Sequence, residues 1–138
     1  MSDNPSNDGL SRPTPPCSDT LGVVIKELDK ETGRVTVSFN AKPEFCNPHG
    51  TVQGGFLSAM LDEVCALAAV AKLDGHGLIA TLESSTRYLS PAYPGKIKGT
   101  AEVLKLGKST AFVEGQLYSE DGKLLAKMST TSKVVPST

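Results

Sequence analysis

Apolar and polar positions change rhythm several times along this chain, and each change marks an element. Leu21-Gly22-Val23-Val24-Ile25-Lys26-Glu27-Leu28 reads as a strand and Asp29-Lys30-Glu31-Thr32-Gly33 as a turn. Arg34 to Phe39 alternates with period two, placing Val35, Val37 and Phe39 on one face, so the two runs predict a hairpin. Lys42 to Pro48 is a connection containing two prolines. From Phe56 to Ala71 the rhythm disappears, because nearly every residue is an apolar helix former. A helix apolar on all sides is expected to be buried. It ends near Lys72, before Asp74-Gly75-His76-Gly77.

Strand-like runs then return. Leu78 to Leu89 is stopped by Ser90-Pro91-Ala92-Tyr93-Pro94-Gly95. Lys96 to Lys105 puts Ile97, Ala101 and Val103 on a common face, and Ser109 to Tyr118 does the same with Ala111, Val113 and Leu117. Lys123 to Val135 follows a turn at Glu120-Asp121-Gly122. The economical packing is α+β: one long helix covered by one strongly curved antiparallel sheet of about five to six strands.

Composition narrows the class. A chain of 138 residues with 38% hydrophobic content supports one domain with its own core. The net charge of −1 gives no electrostatic reason to expect a nucleic-acid partner. Residues 1–18 hold four prolines from Pro5 to Pro16 amid Ser, Asn and Asp, which predicts a flexible tail before a domain over 19–138. The cysteines Cys17, Cys46 and Cys65 are odd in number, which argues against a disulfide framework and for a reducing compartment. With no apolar signal core and no adequate membrane span, a cytoplasmic location is expected.

The chemistry concentrates around the helix. Gly54-Gly55 stands where it should begin, at a terminus with unpaired N–H groups and the positive end of the dipole. Asp62 and Glu63 sit within its apolar stretch, where a buried carboxylate costs several kcal/mol without compensation. The ordinary alternative is an acid on an exposed flank, but Met60, Leu61, Val64, Cys65 and Leu67 leave little room for one. Ser58 lies one turn before Asp62 on the same face, whereas Glu63 points about 100° away. Asp62 is roughly 12 Å along the helix from Gly54 at about 1.5 Å per residue, so a second copy of the chain is the natural source of the acid. Cys46 with His49 offers a nucleophilic pair without an orienting third residue, and Cys46, His49 and His76 lack the spacing of a zinc site, so no metal is expected.

Asn47, then Gln53-Gly54-Gly55, then Asp62, then Tyr88-Leu89-Ser90-Pro91-Ala92 together resemble the hotdog-fold acyl-CoA thioesterases. The nearest branch is the phenylacetate-pathway and human thioesterase superfamily type, over roughly residues 20–135. The resemblance implies a helix wrapped by an antiparallel sheet, dimers that pair sheet edge to sheet edge, and often tetramers. It implies an acyl-CoA substrate, no cofactor, and lysines or Arg87 near the nucleotide phosphates. Asp62 matches the family's catalytic carboxylate and Gly54 the glycine whose N–H, from the other subunit, polarises the thioester carbonyl. Asn47 matches a polar loop residue that helps hold the acyl group or water, and Thr81 falls where some members carry a serine assisting the water. Gly55 and Ser58 would line the substrate. Gln53 replaces the family's usual His and cannot titrate. A non-catalytic acyl-CoA binding or sensing module on the same fold is the rival reading, and a dehydratase is disfavoured because its Asp/His pair is not evident.

Overall fold

The computed structural model describes residues 14–137. A short helix α1 (Pro16–Leu21) precedes a hairpin of β1 (Val24–Asp29) and β2 (Arg34–Ala41). The hairpin turn is tied by Asp29, whose carboxylate accepts from the Glu31 and Thr32 N–H groups at 2.9 and 3.3 Å. Those bonds, that of Thr32 first, hold the Asp29 carboxyl below the usual carboxylate range. A 3₁₀ turn (Pro43–Phe45) and an irregular loop lead into α2 (Gly54–Leu73). Four long strands complete the chain: β3 (Gly77–Tyr88), β4 (Gly95–Leu106), β5 (Thr110–Ser119) and β6 (Leu124–Pro136).

All six strands form one antiparallel sheet in the order β1-β2-β4-β5-β6-β3, and α2 contacts every one of them. This is the hotdog arrangement, with six strands against the five to six expected. The inner face is built by period-two alternation: Val35, Val37 and Phe39 from β2, Ile97, Ala101 and Val103 from β4, and Ala111, Val113 and Leu117 from β5. Against them α2 buries Leu57, Met60, Leu61, Val64, Leu67 and Ala68. Gly115 on β5 lets the helix come close, since a Cβ there would stand 2.7 Å from the Cys65 sulfur.

Two expectations change. Most of the expected tail lies outside the described residues, but residues 16–18 are helical and Ser18 is buried. The strand expected from Leu21 therefore starts at Val24. The second change concerns α2, which is not buried all round: Gly55, Ala59 and Asp62 form an exposed stripe. The stripe arises because β3, the strand beside Asp62, is a sheet edge. Among the described residues β3 pairs only with β6, and along it only Gly77 is buried. None of the described residues covers that side of the helix. Among the described residues, no helix is long and apolar enough to cross a membrane.

Candidate active site

The site begins with the loop before α2. Asn47 closes it as an Asx turn: its Oδ1 accepts from the His49 N–H at 2.9 Å and the Thr51 N–H at 3.3 Å, and its Nδ2 donates to Thr51 Oγ1 at 2.9 Å. The loop is anchored by Val52 N–H donating to the Ala92 carbonyl and Gln53 N–H to the Phe45 carbonyl, both at 2.8 Å. Phe45 and Phe56 stack with centroids 4.2 Å apart, pinning the helix start against the 3₁₀ turn. Asn47 is thus a loop-closing residue in this protomer, its polar atoms already engaged.

Gln53 is the N-cap of α2 in extended conformation, and its side chain makes no capping bond. The side chain is exposed and folds over Gly55, where a Cβ would meet Gln53 Oε1 at 2.9 Å. The Gly54 and Gly55 N–H groups have no acceptor among the described residues. The ring of Tyr88, at the end of β3, lies on Gly54: a Cβ there would be 3.3 Å from Cε1 and Cζ. Beside this contact a hollow of about 340 Å³ is lined by Val52, Leu57, Leu89, Pro91 and Ala92 among others. Two larger hollows, of about 610 and 560 Å³, lie among strand residues remote from these groups and contain none of them.

Two turns further along α2, Asp62 accepts a hydrogen bond from Thr81 Oγ1 at 2.9 Å. A bulge between Thr81 and Glu83 shifts the β3–β6 register at that point, the kind of irregularity that re-aims a side chain. Asp62 is exposed in the protomer, so the burial expected for it is not met within one chain. Glu63 turns away and accepts a hydrogen bond from the buried Ser18 of α1. Ser58 is half-buried one turn before Asp62. Arg87 neighbours Tyr88 in sequence but occupies the opposite sheet face, paired with exposed Lys127.

The cysteine alternatives do not assemble. Burial, with the charge of Asp62 adding to it, pushes the Cys65 thiol up to about 12, which keeps it protonated and inert. Cys46 is half-buried, His49 and His76 are exposed, and no metal-ligating cluster occurs among the described residues.

The family model of the thioesterase superfamily matches residues 49–126. The chain belongs to the thioesterase superfamily. A phenylacetic acid degradation-related protein of Ralstonia eutropha JMP134 superposes with a TM-score of 0.85 at 39% identity, covering 89% of this chain and 92% of that one. Acyl-coenzyme A thioesterase 13 of Homo sapiens is 32% identical over 69% of this chain and 69% of its own length. The 1,4-dihydroxy-2-naphthoyl-CoA hydrolase of Listeria monocytogenes is 25% identical over 78% of this chain and 85% of its own.

As a thioesterase, the chain brings some expected residues together and separates others. Asp62 meets Thr81, while Asn47, Gln53, Gly54 and Gly55 gather at the helix start. The two groups remain roughly 12 Å apart at about 1.5 Å per residue of helix. Sequence reasoning placed Ser18 in a stretch taken for tail, and quoted Tyr88 within the family pattern without giving it a role.

Proposed function

We propose that the protein hydrolyses acyl-CoA thioesters to the free acid and CoA, at sites built from two protomers. The observation that carries this reading is the Asp62–Thr81 pair at an uncovered sheet edge, matched by unpaired N–H groups at the start of the same helix. Antiparallel pairing of β3 with its copy, about a two-fold axis near Ser84 and Ser85, sets Thr81 opposite Tyr88 of the partner subunit. Thr81 holds Asp62 and Tyr88 covers Gly54, so this register carries the acid of one protomer to the helix start of the other. The pairing also covers the Gly55–Ala59–Asp62 stripe and satisfies the open edge of β3.

In such a site the Gly54 N–H donates to the thioester carbonyl oxygen, where negative charge develops. Asp62, oriented by the Thr81 hydroxyl, either takes a proton from the attacking water or attacks the carbonyl carbon itself, forming an anhydride that water hydrolyses to the free acid once the thiolate has left. The C–S bond breaks, and the CoA sulfur leaves as thiolate and is protonated. Asn47 fixes the loop that presents Gly54, and Gln53, Gly55 and Ser58 line the substrate path. The names of the human and Listeria relatives support a CoA thioester as substrate. Further association of dimers into tetramers and a cytoplasmic location, the latter consistent with the unpaired cysteines, belong to the same reading.

The test is hydrolysis of short, medium, long and aryl acyl-CoAs, read as free thiol, with variants mixed after separate purification. Asp62→Asn and Gly54→Pro protomers should each be nearly inactive. Re-associated together, they form mixed dimers with one doubly damaged and one intact site, so activity returns. Full activity in a monomer overturns the shared site. Tight acyl-CoA binding without hydrolysis by the parent replaces the enzyme with a sensing module.

A further inference from the structure

An N–H at a helix start is one donor, and the carbonyl oxygen of a thioester accepts two hydrogen bonds. The polar side chains around Gly54 differ in how free they are. The Asn47 amide is engaged with His49 and Thr51, and the Thr51 hydroxyl with Asn47. Gln53 folds toward Gly55 and is not among the residues lining the hollow. Tyr88 remains. Its hydroxyl lies 3.6 Å from the position of a Cβ on Gly54, has no hydrogen-bond partner among the described residues, and borders the 340 Å³ hollow. Its ring is half-exposed, lies over Gly54, and stands at the end of β3 opposite buried Ala126.

We propose that the Tyr88 hydroxyl is a second hydrogen-bond donor to the thioester carbonyl oxygen, beside the Gly54 N–H and from the same protomer. The assignment rests on the thioester-hydrolysis reading above. The phenol keeps its proton throughout. Its bond strengthens as the carbonyl oxygen gains charge, so it acts on turnover more than on substrate binding. A tyrosine suits this position because the ring that carries the donor also rests on the glycine that supplies the other one.

Tyr88→Phe isolates the hydroxyl, since the ring contact with Gly54 is kept. The expected result is a fall in kcat of about 10² with KM little changed, the usual cost of one oxyanion donor. Melting temperature and native mass should match the parent. A second measurement uses a CoA thioether-ketone analogue, with CH₂ between the sulfur and a ¹³C-labelled carbonyl. Its carbonyl resonance should move downfield on binding, and by less in Tyr88→Phe. Parental kcat in Tyr88→Phe beside a collapsed Asp62→Asn overturns the Tyr88 assignment alone, as does a raised KM with unchanged kcat. A parent inactive on every acyl-CoA overturns this assignment together with the function on which it rests.

Discussion

Replacing Gly54 by proline removes one hydrogen atom of interest and little else. Gly54 is the first residue of α2, where proline is favoured because its missing N–H would have no helical acceptor. The preceding residue must be extended, and Gln53 already is, with φ −64° and ψ 139°. The new Cβ would stand 3.3 Å from two carbons of the Tyr88 ring, so a half-exposed ring must yield by a few tenths of an ångström, and the proline Cγ and Cδ take up space beside the nitrogen in addition. Gly54→Ala places the same Cβ and keeps the N–H, which makes it the control for the Cβ contact. Relative to alanine, proline should lose about 10²–10³ in kcat, or ~2.7–4 kcal/mol of transition-state stabilisation. KM should be similar in the two variants, and so should the melting temperature. The assay is thiol release from the best acyl-CoA, with native mass recorded for both. Equal turnover in Gly54→Pro and Gly54→Ala refutes the donor role of the Gly54 N–H. Equal and severe loss in both traces the damage to the Tyr88 contact instead.

Asp62→Asn should lower turnover by about 10² or more, while Glu63→Gln, which keeps an acceptor for Ser18, should cost far less; turnover and melting temperature on both variants check this. Gly115→Ala drives a Cβ to 2.7 Å from the Cys65 sulfur and should destabilise by roughly 1–3 kcal/mol, and adding Cys65→Ala should recover much of that in urea unfolding. The Cys65 thiol ionises at about 12 when folded against an ordinary 9.0, so the stability it contributes is complete below pH 9 and is lost as pH rises toward 12. The loss should reach at most about 1.4 kcal/mol per pH unit, and Cys65→Ala should show a shallower alkaline decline in urea midpoint than the parent.

The elements that a two-residue rhythm can announce were legible. Val35, Val37 and Phe39 announced β2, and Gly54-Gly55 announced the start of α2. The Asp62 environment was not, because alanine and glycine look alike on a buried and an exposed face. Ala59, on the exposed stripe, therefore passed for interior. Helix α1 did leave a signal, Pro16 at its first position and Gly22 in the left-handed conformation just past its end, but the surrounding prolines masked it. The neighbour of β3 could not be read at all. Leu78 to Leu89 looks like any strand, and its partner Lys123 to Val135 lies beyond two others of the same kind. Thr81 came from family resemblance, since no spacing rule connects residues 62 and 81 across a turn and a bulge.

The place of β3 in the sheet also sets a timetable. In chain order β3 precedes β4, β5 and β6, yet among the described residues its only strand partner is β6, with Gly77 opposite Pro136. A growing chain can fold the β1–β2 hairpin and then add β4 and β5 as each emerges, while β3 waits. Closing so long a loop is among the slower steps of folding, because chain entropy is lost before the pairing compensates it. Thr81, and with it the orientation of Asp62, is therefore fixed near the end of folding. A chain halted before residue 124 still holds α2 and four contiguous strands, but β3 has no strand to join and Asp62 no hydroxyl held beside it.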